Sequence, residues 1–205
     1  MIRTKKELEF YIKADLMMRT GSFTRSLTQK IANIFAPDYI FEYIKASRKY
    51  SYYSHHPMGE KRLFSYFYAF QRRRLGVKLG FSISFDEIGY GLHIPHYGTI
   101  VVGNGNQIGN YAVLHTSTCI TAGNKVIGDS FYLSSGAKVV KDITIGDNIS
   151  VGANSVVNQS FPDNGMIAGS PAHWIKNSDA WYIRDGQEFS RRVMECENLR
   201  KQYMT

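Results

Sequence analysis

Cysteine is nearly missing from these 205 residues. Cys119 and Cys196 are too few and too far apart for a disulfide framework, which makes a reduced cytoplasmic setting the expectation. No apolar run reaches the roughly 18 residues needed to cross a bilayer. The opening MIRTKKELEF has charge but no apolar stretch, so no secretory leader is expected. Hydrophobic residues make up 43%, enough for one sizeable core or for one domain with a helical extension.

Positive charge is scarce in the middle of the chain. Residues 1–80 carry 16 Lys and Arg against 6 Asp and Glu; residues 81–172 carry 3 against 6, and residues 173–205 carry 6 against 5. The net +8 therefore belongs to the first segment. No nucleic-acid-binding motif accompanies it, so nucleic acid is not the expected partner. An anionic membrane surface, phosphate-bearing ligands and plainly solvated helix faces all remain open.

Residues 1–80 read as an α-helical domain. Thr4 with Glu7 fits a capping box, and Gly21 fits the end of that helix. Pro37 opens a second helix through PDYIFEYIKASRKY, and EKRLFSYFYAFQRRRLGVKLG a further one, closing at Gly76 or Gly80. Its aromatics Phe64, Tyr66, Phe67, Tyr68 and Phe70 are too dense for one stripe, so packing against neighbouring helices or another subunit is expected. Arg72, Arg73 and Arg74 follow directly and keep peripheral membrane contact open.

From residue 81 aliphatics recur every six residues. Ile88, Ile94 and Ile100 are followed, after two extra residues, by Ile108, Leu114 and Ile120; after one more come Ile127, Leu133, Val139, Ile145, Val151 and Val157. Period six fits neither an amphipathic helix nor an alternating strand. One inward side chain per six residues, with small residues at tight corners, describes a triangular prism of parallel strands stacked about 4.7–4.9 Å apart. Twelve hexads predict four coils. With IGDNISVGANSVV and IAGSPA, the stretch resembles the hexapeptide-repeat acyltransferases. That resemblance implies a mainly β fold: a left-handed parallel β-helix over residues 81–175, behind the α-helical domain of residues 1–80. Residues 176–205 are expected to form a loop and a C-terminal helix, GQEFSRRVMECENLRKQY, packed on the prism or closing over a bound cosubstrate.

The segment IGYGLHIPHYGTIVVG resembles serine acetyltransferases and the O-acetyltransferases of surface-polysaccharide biosynthesis. Their catalytic histidine precedes a glycine-containing corner and an Ile-Val-Val-like strand, a position held here by His96; His93 lies outside the match. A hydroxyl needs a base to attack a thioester at neutral pH, and an imidazole of pKa near 6.5 can take its proton and return it to the departing thiolate. His115, beside the inward Leu114, is a second candidate, with a plain surface or interface role as its alternative. His93, His96 and His115 also imitate the three-histidine zinc site of hexapeptide-repeat carbonic anhydrases, but no metal is expected. His55 and His56 read as solvent-facing.

Acetyl-CoA is the implied cosubstrate. Ser135, Gly136, Ala153, Asn154, Ala168 and Gly169 leave a small-residue corner for its pantetheine arm, and Lys138, Lys141 and Lys176 are candidate phosphate partners. A homotrimer is implied too, with Tyr97, Tyr111 and Tyr132 as outward residues suited to an interface. Three departures bear on the acceptor. The family's upstream acid falls near Phe81 and Ser82, with Asp86 and Glu87 closer to the histidine; its aspartate before the histidine is Pro95; and its Arg-His loop is the short TAGNK, with Gly123 and Asn124. Without that arginine a carboxylate lacks its bidentate partner, so a sugar or glycan hydroxyl in surface-polysaccharide synthesis is the expected acceptor. L-Serine is the alternative, and a non-catalytic scaffold is the alternative outside enzymes. The setting expected is the cytoplasm, with the inner membrane face open through the basic helices.

Overall fold

The computed structural model describes residues 2–56 and 60–203. Helix α1 (Lys5–Thr20) opens on the expected capping box: Thr4 Oγ1 accepts from the Glu7 N–H at 3.1 Å, and Glu7 Oε2 accepts from the Thr4 N–H. It closes at Gly21, whose φ of 76° suits a residue without Cβ. Helix α2 (Leu27–Phe35), capped by Ser26 and Gln29, lies outside the sequence-based expectation; none of its residues is buried. Helix α3 (Tyr39–Ser54) starts after Pro37, with Asp38 accepting from the Phe41 N–H. Helix α4 (Glu60–Leu79) runs on to Gly80, at φ 77°. Gly76 lies within it, at a position where a Cβ would meet the Phe81 carbonyl oxygen at 2.8 Å.

Short strands then wind a three-sided solenoid. The first are β1 (Phe81–Ile83), β2 (Ile100–Val102), β3 (Gln107–Ile108) and β4 (Val113–Leu114). Next come β5 (Thr118–Ile120), β6 (Val126–Ile127), β7 (Tyr132–Leu133), β8 (Lys138–Val139) and β9 (Thr144–Ile145). The last are β10 (Ile149–Val151), β11 (Val156–Val157), β12 (Gly165–Gly169) and β13 (Ala172–Asn177). One face stacks β1-β2-β5-β8-β11, the second β4-β7-β10-β12 with β13 at its edge, and the third β3-β6-β9. All pairings are parallel except β12 with β13.

Three inward columns fill the prism: Ile83, Val102, Ile120, Val139 and Val157; Ile88, Ile108, Ile127, Ile145 and Phe161; Ile94, Leu114, Leu133, Val151 and Ile167. All are buried, and each such side chain contributes about 1.5–3 kcal/mol relative to exposure. The stack is five levels high, one more than twelve hexads predict, because Ile83, Phe161 and Ile167 join it.

The two-residue slip is also relocated. Val102, not Ile100, occupies the column, so the extra residues fall between Ile94 and Val102, at the corner carrying His96. Ile100 takes the register position held by Thr118, Ala137 and Ser155 in the coils below. The widened corner has room for isoleucine there. The single-residue slip lies in Thr121–Lys125, where buried Lys125 donates from Nζ to the Thr121 and Ala122 carbonyls.

Helices α5 (Trp181–Arg184) and α6 (Gln187–Tyr203) cover the upper part of the β4-β7-β10 face. Trp181 Nε1 donates to the Tyr111 carbonyl at 2.9 Å. Tyr111 is therefore buried and Tyr132 half-buried, so of the three tyrosines expected outward only Tyr97 is fully exposed. The helical layer is pinned to the first coil by Arg48. This fully buried guanidinium bonds to Asp15 and donates to the Ile88 and Gly89 carbonyls, while Asp15 accepts from the Leu92 N–H.

Candidate active site

His96 owes its position to the widened corner. In a regular coil the residues after Ile94 would turn straight into the next strand; two extra residues push His96 and Tyr97 outward into solvent. Pro95 has no N–H to offer the ladder. From α1, Arg19 Nη1 donates to the Ile94 carbonyl at 2.9 Å, while its Nε binds Asp38, the cap of α3. The backbone entering the histidine corner is thereby tied to two helices. No carboxylate is hydrogen-bonded to His96 among the described residues. Asp86 and Glu87 precede Ile88, at a different corner of the prism, and Glu87 borders a cleft with Arg3 and Gln107.

His115 lies one coil below. The ladder pairs the Leu114 N–H with the His93 carbonyl, placing His115 under Pro95. Its Nε2 is 2.8 Å from Tyr132 Oη, and Arg184 lies over the Tyr132 ring at 5.2 Å with Nη1 on Ser150 Oγ. Burial, with the neighbouring His96 charge, lowers the His115 pKa. Tyr132 and Arg184 escape a hexad reading, which separates inward from outward positions without saying which outward side chains meet.

His93 is set apart from this pair. Its ring lies parallel to Trp181 at 6.3 Å and edge-on to Phe189 at 5.5 Å, and its buried Nδ1 has no partner among the described residues. Burial, assisted by Arg19 and Arg192, lowers its pKa to about 4, which keeps it neutral. Among the described residues no three His, Cys, Asp or Glu side chains form a metal-holding group. His55 and His56 turn their Nδ1 atoms onto the Ser51 and Tyr52 carbonyls and finish α3.

The small residues gather under the same corner. A Cβ on Gly98 would meet Thr116 Oγ1 at 2.1 Å, and one on Gly136 would meet Asn154 Oδ1 at 2.0 Å. The Gly136 N–H donates to the Thr116 carbonyl, the Asn154 N–H to Ser135, and the Gly169 N–H to Ser155 Oγ. Ser135, Gly136, Ala153, Asn154, Ala168 and Gly169 thus descend in one column below His96. Ser135, Ala153, Asn154 and Gly169 are exposed. Lys138 joins the column by donating to the Gly136 carbonyl at 2.8 Å. Lys176 does not: it pairs with Met166, at the opposite end of β12 from Gly169. β13 doubles back antiparallel there, which the repeat pattern does not reveal. Lys141 is exposed on the turn after β8.

No protein-family model matches the chain. Among curated proteins, the serine acetyltransferases of Staphylococcus aureus (strain Mu50) and Staphylococcus xylosus are each 33% identical to it over 113 residues. The match covers 52% of this chain in both cases, and 52% and 51% of theirs. The chain thus spans about half the length of the curated relatives it matches. The solved serine acetyltransferase of Neisseria gonorrhoeae superposes with a TM-score of 0.62 at 22% identity, over 85% of this chain and 69% of that one. That of Brucella abortus strain S19 in complex with coenzyme A gives 0.61 at 20% identity, over 84% and 68%. The chain shares its fold with these two solved structures. Locally, Pro95 precedes the corner histidine, and the Thr121–Lys125 turn directs Lys125 inward onto the Thr121 and Ala122 carbonyls.

Proposed function

We propose that this chain is an acetyl-CoA-dependent O-acetyltransferase of the serine acetyltransferase type, with His96 as general base. One observation carries the reading: an exposed histidine on a corner widened by two residues stands directly above a column of small, backbone-exposing residues. The names of the curated relatives and the coenzyme A complex of a fold neighbour support the same chemistry. The column suits a pantetheine arm, because its small side chains leave peptide groups within reach, and Lys138 stands beside it for a phosphate. His96 takes the acceptor's hydroxyl proton as the oxygen attacks the thioester carbonyl, and returns it to the departing thiolate. His115, held by Tyr132, lies next to it as a second polar group of the site.

For the acceptor, the name shared by the curated relatives supports L-serine. A sugar or glycan hydroxyl is the second reading, favoured by a specific observation. The Thr121–Lys125 turn offers no outward cation for a carboxylate, since Lys125 is buried on backbone carbonyls and Asp142. Among the described residues of one chain no carboxylate bonds His96, and a homotrimer, with the exposed Tyr97 corner against a neighbouring prism, would complete the site. We place the enzyme in the cytoplasm with its acetyl-CoA.

Thiol release from acetyl-CoA tests the proposal. Release should rise well above background with L-serine if that reading holds, and with a nucleotide sugar but not serine if the second does. His96→Ala should lower turnover about 10²–10⁴-fold while calorimetric CoA binding is kept. Near-normal turnover by this variant would remove His96 from the mechanism, and CoA binding without any turnover would leave the scaffold reading.

A further inference from the structure

We propose that the outer face of α2 and α4 docks on an anionic lipid bilayer. This inference stands apart from the acetyl-transfer reading and does not require it.

Helix α2 buries nothing: Leu27, Ile31, Ile34 and Phe35 are 50–84% exposed and share one side at helical spacing. Helix α4 divides by face. Tyr68 stacks on Tyr53, and Leu75 packs toward the core, whereas Leu63, Phe67, Phe70 and Val77 form an outward stripe 56–81% exposed. From Leu63 to Val77 that stripe is about 21 Å long. The turn leaving α2 at Pro37 borders the same groove as Arg74 and Lys78 of α4. Patches of this kind mark an interaction surface.

Charge decides the occupant. Residues 27–35 and 61–79 contain no aspartate or glutamate. The acids nearby, Asp38 and Glu42, are spent on Arg19, Arg25 and Lys45. Lys30, Arg73 and Arg74 form no ion pair among the described residues. Two copies meeting through this face would set like charges against one another around an apolar centre, an arrangement that association disfavours. A surface of anionic headgroups over acyl chains instead accepts both components, basic side chains at the headgroups and aromatic and aliphatic ones below them.

Co-sedimentation of the full chain with vesicles provides the test. The protein should pellet with phosphatidylcholine–phosphatidylglycerol vesicles, pellet less as salt rises, and stay in solution with phosphatidylcholine alone. Arg73→Gln with Arg74→Gln, and separately Ile34→Ser with Phe35→Ser, should each weaken partitioning about tenfold or more, with helical circular dichroism unchanged. Failure of the unmodified protein to pellet overturns the proposal. So does a smaller particle in sedimentation velocity for the Ile34→Ser, Phe35→Ser variant, because the face would then be buried between copies. Neither readout depends on turnover, so failure here leaves the acetyltransferase reading standing, and the reverse holds too.

Discussion

The three histidines of the first two coils show how far environment outweighs residue type. His96 was singled out by resemblance, a proline and a glycine around a histidine ahead of an Ile-Val-Val strand, whereas the widened corner that turns it outward shows only in the strand register. The fate of His93 was not legible, since the residues enclosing it, Trp181 and Phe189, lie about ninety positions away. Burial lowers its pKa from 6.5 to about 4. Between those values the unfolded chain binds a proton that the folded chain does not, so stability falls as pH falls through that window and is fully present above it. The limiting slope for one proton is about 1.4 kcal/mol per pH unit. His93→Phe keeps an aromatic ring beside Trp181 and Phe189 and discards an Nδ1 that has no partner among the described residues. Urea unfolding at a series of pH values between 4 and 7 should show a shallower pH slope for this variant. An unchanged slope would mean that His93 is solvated in the native protein.

Elements were legible in proportion to their repetition. Hexads announce strands too short for any propensity argument, since each inward aliphatic is repeated by the coils above and below. The slip was misplaced because Ile100 is aliphatic and in phase, and only strand register reveals that Val102 takes the column. Helix α2 was missed although its signals are in the sequence, Ser26 with Gln29 as a capping box and Leu27, Ile31, Ile34 and Phe35 at helical spacing. The glycines after the inward residues have a cause beyond tight turning. A Cβ on Gly128 would lie 2.2 Å from Asp147 Oδ1, the oxygen that accepts the Asp129 N–H one coil above. The same contact recurs from Asn110 to Asp129 and from Asp147 to Asp163, forming a ladder of side-chain oxygens along one edge. Gly128→Ala must displace a rung of it and should cost about 1–3 kcal/mol. Denaturant titration within about 0.5 kcal/mol of the unmodified protein would show the edge to be loose.

For the whole molecule, composition foretold two regions, a basic helical one and a glycine-rich repeat. The joint between them was invisible, because Asp15 and Arg48 look like ordinary helix-surface charges in a sequence. In the fold they are fully buried together, and Arg48 satisfies the Ile88 and Gly89 carbonyls at the coil that leads toward the histidine corner. Removing one partner strands the other charge away from water, so Arg48→Met should cost about 3–5 kcal/mol. Removing both, in Asp15→Leu with Arg48→Met, takes away the uncompensated charge and should recover much of that loss. Recovery should stop short of the starting value, because the two carbonyls and the Leu92 N–H lose their partners, at about 1–3 kcal/mol for each that stays dry. Urea unfolding followed by tryptophan fluorescence, which reports the solenoid through Trp181 and Trp174, and by circular dichroism at helical wavelengths should give coincident curves for the unmodified protein. In Arg48→Met the helical signal should fall first. Coincident curves at unchanged midpoints would mean that the two regions are coupled elsewhere, as through Arg19 on the Ile94 carbonyl and the Gly98 N–H on the Leu79 carbonyl at the end of α4.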